Sequence, residues 1–206
     1  ISLKIDQLAL LSEFKNFLFK ENVNINLVSR RQNQMQTILD QILASLILQP
    51  IIEKAEPEIV MDLGSGGGLP GIPLSILNPG IQFHLLEAKY KRAVYLKKAV
   101  LELHLGNTKI IRARVEKLAN QDEYRNRYDI ITVRAVSNIC YIYGCANMLL
   151  SGRGFIVAYT GSEQVKKEDL AILTSDRSRK PVTIRSLDTR SREETPSRLI
   201  LIGSSG

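Results

Sequence analysis

The sequence predicts an α/β domain, a mostly parallel sheet with helices on both faces, preceded by a helical extension. Three observations carry that expectation. From Ile59 onward, short apolar runs rich in β-branched residues alternate with stretches of helical period, the pattern of βαβ units. The first run breaks into a glycine cluster, IVMDLGSGGGLPG over residues 59–71, laid out as a strand, a tight loop and a helix start. Before it, the chain carries helical periodicity only.

Leu3, Leu8, Leu11, Phe14, Phe17 and Leu18 recur at a spacing that predicts a helix over residues 3–20. After the polar stretch ENVNINLVSRRQNQ, the residues Ile38, Leu39, Ile42, Leu43, Leu46 and Ile47 predict a second helix over 35–49, stopped by Pro50. Residues 1–55 thus form an N-terminal helical extension and 56–206 the main domain. Strands are expected at 59–63, 81–87, 109–113, 128–133 and 155–159. Helices are expected at 89–104, closed by Gly106 as a left-handed terminator, at 138–150 and at 163–173, with a turn at 151–154. Late strands at 182–187 and 198–202, joined by the polar DTRSREETPS without a helix, predict an antiparallel edge.

The chain has 206 residues, a formal charge of +7 and 44% apolar residues, enough for a real core and basic enough to favour an anionic partner. Between residues 87 and 117 there are nine Lys or Arg against three Glu, and from 151 onward ten against seven acids. This basic band fits nucleic acid, or a solvated lysine-rich helix face. Cys140 and Cys145 have neither disulfide-framework numbers nor ligand spacing, and with two histidines no metal site is expected. With no uninterrupted apolar run of the roughly 20 residues that span a bilayer, and no signal pattern, a soluble cytoplasmic protein without a membrane partner is expected.

The glycine spacing decides between ligands. A hydride-transferring dinucleotide site needs G-x-G-x-x-G, with a small residue where this chain has Leu69, and a Walker loop needs a Gly-Lys-Ser/Thr that is absent. From Gly64 the spacing is G-x-G-x-G, with Asp62 two residues ahead. That matches the S-adenosylmethionine turn of Rossmann-like methyltransferases. Asp62, Gly64, Ser65, Gly66 and Gly68 are therefore candidate cofactor residues, the carboxylate suiting the cationic amino-acid end. Glu87 ends the second strand 25 residues after Asp62, where a carboxylate accepts ribose hydroxyls or supplies charge to a helix amino terminus. In ARVEKL, residues 113–118, backbone at Val115 and Glu116 reads an adenine edge, or Glu116 is an exposed or capping residue.

In that order and at those intervals, MDLGSGGGLPGIPLSI, LLEAKYKRAVYLKKAV, RARVEKL and YDIITVRAV resemble the small-subunit ribosomal RNA guanine-7 methyltransferase family, RsmG or GidB. NINLVSRR resembles its Asn-x-x-Asn-Leu-Thr segment, so the likeness runs from about residue 22 to 161. The resemblance implies a Rossmann-like class I methyltransferase fold, a seven-stranded mostly parallel sheet with an antiparallel edge strand. It implies cofactor contacts at Gly64, Leu69, Val115, Glu116 and Arg134, with Glu87 at the family's acidic position. Arg134 follows an apolar strand, so it faces the cleft at the sheet's carboxyl edge. Three departures stand out. Thr160 replaces a family lysine, Gln41 and Ala44 replace a histidine and an aspartate, and Ser197, Arg198 and Leu199 stand where the family has Arg-His-Leu.

Guanine N7 has an exposed lone pair and no proton, so the expected reaction needs no general base and no catalytic acid or base is assigned; Arg134 is expected to organise the cleft. The implied partner is small-subunit ribosomal RNA or the assembling subunit, met by a monomer. Arg30, Arg31, Lys89, Lys91, Arg92, Arg185 and Arg198 are candidate phosphate contacts. The alternatives are a non-catalytic RNA-binding or assembly protein with this fold, and a methyltransferase for another substrate.

Overall fold

The strand at Ile59–Leu63, β1, is buried at all five positions, as an apolar run flanked by parallel neighbours must be. In the computed structural model, which describes residues 2–28, 33–134, 139–161, 182–185 and 197–203, β1 lies inside a seven-stranded sheet, with two strands on one side and four on the other. The other strands are β2 (Gln82–Leu86), β3 (Thr108–Ile111), β4 (Tyr128–Arg134), β5 (Leu150–Gly161), β6 (Val182–Arg185) and β7 (Ser197–Gly203). Their order is β3-β2-β1-β4-β5-β7-β6. β1 pairs in parallel with β2 and β4, so the chain reverses direction across the sheet beside β1, and a crevice opens at its carboxyl end. The antiparallel strand is β7, which pairs with β5 on one side and β6 on the other. It sits one place in from the edge, and β6 closes that side.

Helices α1 (Ile5–Asn22), α2 (Gln34–Leu46) and α3 (Gln49–Ala55) precede the sheet, and α4 (Gly71–Leu77), α5 (Tyr90–Glu102), α6 (Val115–Ala119) and α7 (Ile139–Asn147) connect its strands. α1 buries Leu11, Phe14 and Leu18, and α2 buries Ile38, Ile42 and Leu46, the inward stripes that helical period demands. These residues join Ile72, Leu74, Phe83, Leu85 and Leu96 in one apolar cluster, so the helical extension and one face of the sheet share a core. Met61, Ile131, Tyr143 and Ile156 belong to the cluster on the opposite face.

Several expectations are corrected. Pro50 does not end the helical region; it lies in the first turn of α3, where its missing N–H has no partner to lose. The stretch Gln34–Ala55 is long and apolar enough by composition to cross a membrane, with a mean hydropathy of 1.4. Its apolar stripe, Ile38, Ile42, Leu46, Leu48 and Ile52, is instead spent on the core. The left-handed residue after α5 is His104, with φ of 52°, and not Gly106. The turn expected at 151–154 lies within β5, where the register with β4 jumps from Tyr128–Leu150 to Ile130–Phe155. The helix expected at 163–173 lies outside the described residues.

His84 is a buried histidine in β2, its Nδ1 2.9 Å from the Tyr128 hydroxyl. Burial, reinforced by the charges of Arg127 and Lys109, pulls its pKa from 6.5 to about 4. Between pH 6.5 and 4 the unfolded chain holds a proton that the folded chain refuses, so stability falls as pH drops through that window. The total loss is roughly 3 kcal/mol. Urea unfolding from pH 7 to 4 should show a smaller loss in His84→Gln than in the wild type, and identical pH slopes would contradict this.

Candidate cofactor-binding cleft

After Leu63 the chain turns on Gly64, at φ of +72°. A Cβ there would meet no described atom within 4 Å, so the backbone conformation, and open space for a ligand, account for glycine. The N–H groups of Gly64 and Ser65 donate to the Leu86 carbonyl at 2.8 and 3.1 Å, tying the loop to the end of β2. Gly68, also left-handed at φ +83°, is crowded instead, since an added Cβ would lie 2.5 Å from Ile72 Cδ1.

A cleft of about 360 Å³ lies over the carboxyl ends of β1, β2 and β4. Of the candidate cofactor residues, Gly64, Glu87, Val115, Glu116 and Arg134 line it. Asp62, Ser65, Gly66, Gly68 and Leu69 do not; Asp62 lies in β1 and the other four in the loop that follows it. The Ser65 hydroxyl donates to the Asp62 carbonyl at 2.9 Å. The Asp62 carboxylate accepts from the Thr132 hydroxyl at 2.9 Å and from the Gly71 N–H at 3.3 Å. Burial pushes its pKa up, against the opposing effects of the Ser65 and Thr132 hydroxyls, the Arg134 charge and the Gly71 N–H.

Glu87 is buried, and both of its oxygens are engaged. One accepts the Gly66 N–H at 3.1 Å and the other the N–H of Lys89, the residue capping α5, at 2.7 Å. It therefore serves the helix amino terminus and the glycine loop while facing the cleft. Each oxygen retains a lone pair that a ribose hydroxyl could use. Val115 opens α6 behind Arg114. The exposed Glu116 carboxylate accepts a 2.8 Å hydrogen bond from the Tyr141 hydroxyl, and its pKa is lowered by its own backbone N–H and by that hydroxyl. Tyr141, on α7, thus reaches the far wall of the cleft. No spacing in the sequence pairs it with Glu116.

Arg134 lies where β4 ends. Its Nη2 donates to Gln41 Oε1 at 3.2 Å, and its guanidinium carbon is 5.9 Å from the centre of the Tyr159 ring. The residue as a whole is only half-buried, yet Nη1 is enclosed and has no hydrogen-bond partner among the described residues. Burial lowers the guanidinium pKa from its ordinary value, while the charges of Asp62 and Tyr159 oppose that. Carboxylates, a guanidinium and bare backbone around one cleft fit a ligand with a ribose and a carboxylate. Among the described residues no cluster of His, Cys, Asp or Glu could hold a metal.

The candidate RNA contacts scatter. Lys89 and Lys91 are exposed beside the cleft. Arg92 donates to the Asn26 carbonyl at 3.3 Å and so also anchors the loop after α1. Arg30 and Arg31 lie outside the described residues; Arg185 and Arg198 fall on β6 and β7, with their side chains outside the description. Sequence reasoning passed over Arg112, which lies 5.6 Å over the exposed ring of Tyr90. A basic and an aromatic residue flanking the second and third strands were the available signal.

The family described as rRNA small subunit methyltransferase G, GidB, matches residues 7–192. Similar proteins include the ribosomal RNA small subunit methyltransferases G of Neisseria meningitidis serogroup C, 35% identical over 72% of this chain and 68% of the relative, and of Borreliella burgdorferi, 35% identical over 68% and 65%. That of Desulfitobacterium hafniense is 32% identical over 79% and 66%. The chain thus spans about two thirds of the length of these curated relatives. Among solved structures, the O-methyltransferase from Bacillus cereus in complex with SAH superposes with a TM-score of 0.64 at 13% identity, over 93% of this chain and 91% of that one. An rRNA methylase from Streptococcus thermophilus gives 0.55 at 16%, over 77% and 95%. At such identities these two likenesses speak for the fold.

Proposed function

The chain belongs to the rRNA small subunit methyltransferase G family, and from that premise we propose that it transfers a methyl group from S-adenosylmethionine to N7 of a guanine in small-subunit ribosomal RNA. The observation that carries the reading is the cleft at the carboxyl end of β1, where Gly64 exposes backbone and Glu87 and Arg134 share the lining. S-adenosylmethionine supplies an electrophilic methyl group on a sulfonium, which a neutral nitrogen lone pair can take in line without giving up a proton.

The protein's task is then placement. Glu87 and the backbone at Val115 and Glu116 would hold the adenosine end, and the Arg134 guanidinium the carboxylate of the amino-acid end. The loop between β1 and α4 would hold the cofactor against its exposed backbone at Gly64. No described side chain needs to act as a base. Lys89 and Lys91 would meet phosphate beside the cleft, joined by Arg92, Arg30, Arg31, Arg185 and Arg198 where these reach the RNA. The target guanine must be unstacked to enter, which suits a loop in a partly assembled subunit. In this reading residues 1–55 are a helical unit beside the substrate and 56–206 the cofactor domain of a cytoplasmic monomer.

Small subunits lacking the modification, incubated with the protein and methyl-labelled S-adenosylmethionine, should yield label in 7-methylguanosine. Label in another base would redirect the assignment. Cofactor binding without transfer to any RNA would favour a non-catalytic assembly role. Substrate binding that ignores salt would point to a small-molecule or protein substrate, because an RNA ligand weakens steeply as salt rises.

A further inference from the structure

Arg134 is held by an element far from it in sequence. Gln41, on the second helix of the N-terminal extension, accepts the Nη2 hydrogen bond from a distance of 93 positions along the chain. Tyr159 lies beside the guanidinium, and Asp62 acts on it through its charge. Nη1, although enclosed, meets no acceptor among the described residues. Among the described residues Gln41 is therefore the acceptor that fixes the guanidinium's orientation.

Among the described residues, Arg134 helps to line two cavities. One, lined also by Ala44, Ser45, Leu48, Pro70 and Tyr159, measures about 10 Å³, the lower limit for a single water. The other is the cofactor cleft, about 360 Å³. Of these two, the cleft is the one with room for a ligand carboxylate. A free arginine side chain samples many rotamers, so a partner on one nitrogen fixes where the other nitrogen points.

We propose that Gln41 is a positioning residue for Arg134: by holding Nη2 it fixes the guanidinium at the edge of the cleft, so that α2, which does not itself line the cleft, bears on cofactor affinity. The inference rests on the cofactor reading above. It joins the helical extension directly to cofactor affinity, so a change in α2 alters cofactor binding without touching the glycine loop.

The test is calorimetric titration of S-adenosylhomocysteine into the full chain, with thermal melts of each ligand-free protein. Gln41→Leu keeps the bulk and removes the acceptor, and should weaken binding roughly tenfold, the scale of one hydrogen bond to a charged group. Gln41→Glu keeps an acceptor and should bind within about threefold of the wild type. In an Arg134→Gln background, Gln41→Leu should add nothing, because its effect runs through Arg134. Gln41→Ala provides a second deletion should leucine disturb α2. Binding by Gln41→Leu equal to that of a wild type that binds overturns the positioning role and leaves the function standing. An equal loss in the Arg134→Gln background also overturns it, since the effect would then come from packing. A wild type that binds no S-adenosylhomocysteine overturns the cofactor reading and this role together.

Discussion

Gly68→Ala should destabilise the fold by about 2–4 kcal/mol, the sum of a left-handed backbone penalty and an overpacked core. Gly68 sits at φ +83°, and an added Cβ would stand 2.5 Å from Ile72 Cδ1, 3.0 Å from Ile72 Cγ1 and 3.3 Å from Leu96 Cδ2. The χ1 preference of a β-branched side chain in a helix holds Ile72 Cγ1 in place, and because Ile72 and Leu96 are fully buried, turning Cδ1 away about χ2 drives it into packed neighbours. Nor can the backbone shift freely. The Gly68 N–H donates to Ser65 and its carbonyl accepts from Ile72, both at 2.7 Å. Gly106→Ala is the control: its backbone is not left-handed and no described atom lies within 4 Å of the new methyl. It should unfold within about 0.5 kcal/mol of the wild type, or slightly above it. Urea titration of the two variants distinguishes them, and a Gly68→Ala midpoint matching that of Gly106→Ala would refute the crowding.

That contrast shows what a sequence discloses about a glycine and what it withholds. The cluster at 64–68 marks the loop, because such a density of glycine after an apolar run needs a special backbone. It does not say which glycine faces ligand and which faces core. Gly64 and Gly68 share a backbone region, yet one opens on the cleft and the other presses on Ile72. The parallel strands were legible for a similar reason, since burial on both faces leaves an unbroken apolar run such as Ile59–Leu63. Pro50 was ambiguous because a proline ends one helix as readily as it begins the next. His104 took the left-handed position expected of Gly106 because histidine tolerates that region better than most residues. Contacts such as Gln41 to Arg134 and Tyr141 to Glu116 join elements that only the finished fold brings together. No local period announces them.

Glu87→Ala should weaken S-adenosylhomocysteine binding by roughly a hundredfold or more, as expected for losing charged hydrogen bonds to two ribose hydroxyls. It should also destabilise the ligand-free protein by about 2 kcal/mol, by stranding two backbone donors. The more telling variant is Glu87→Gln. The Gly66 and Lys89 N–H groups approach different oxygens of the carboxylate, whereas an amide offers one oxygen and an NH₂ that would face the second donor. If Glu87 were a ribose acceptor alone, glutamine would be a mild change, because an amide can still pair with hydroxyls and stability would not move. Because it also holds the glycine loop against the start of α5, glutamine should cost a large part of the stability that alanine costs. Binding should then fall with it, since the loop that presents Gly64 is anchored by the same carboxylate. Thermal melts of the ligand-free variants decide the matter: a Glu87→Gln protein as stable as the wild type would separate the loop from the carboxylate. Glu87→Gln and Glu87→Ala proteins alike in both stability and binding would show that two acceptor oxygens, rather than the shape of the side chain, are what this position supplies.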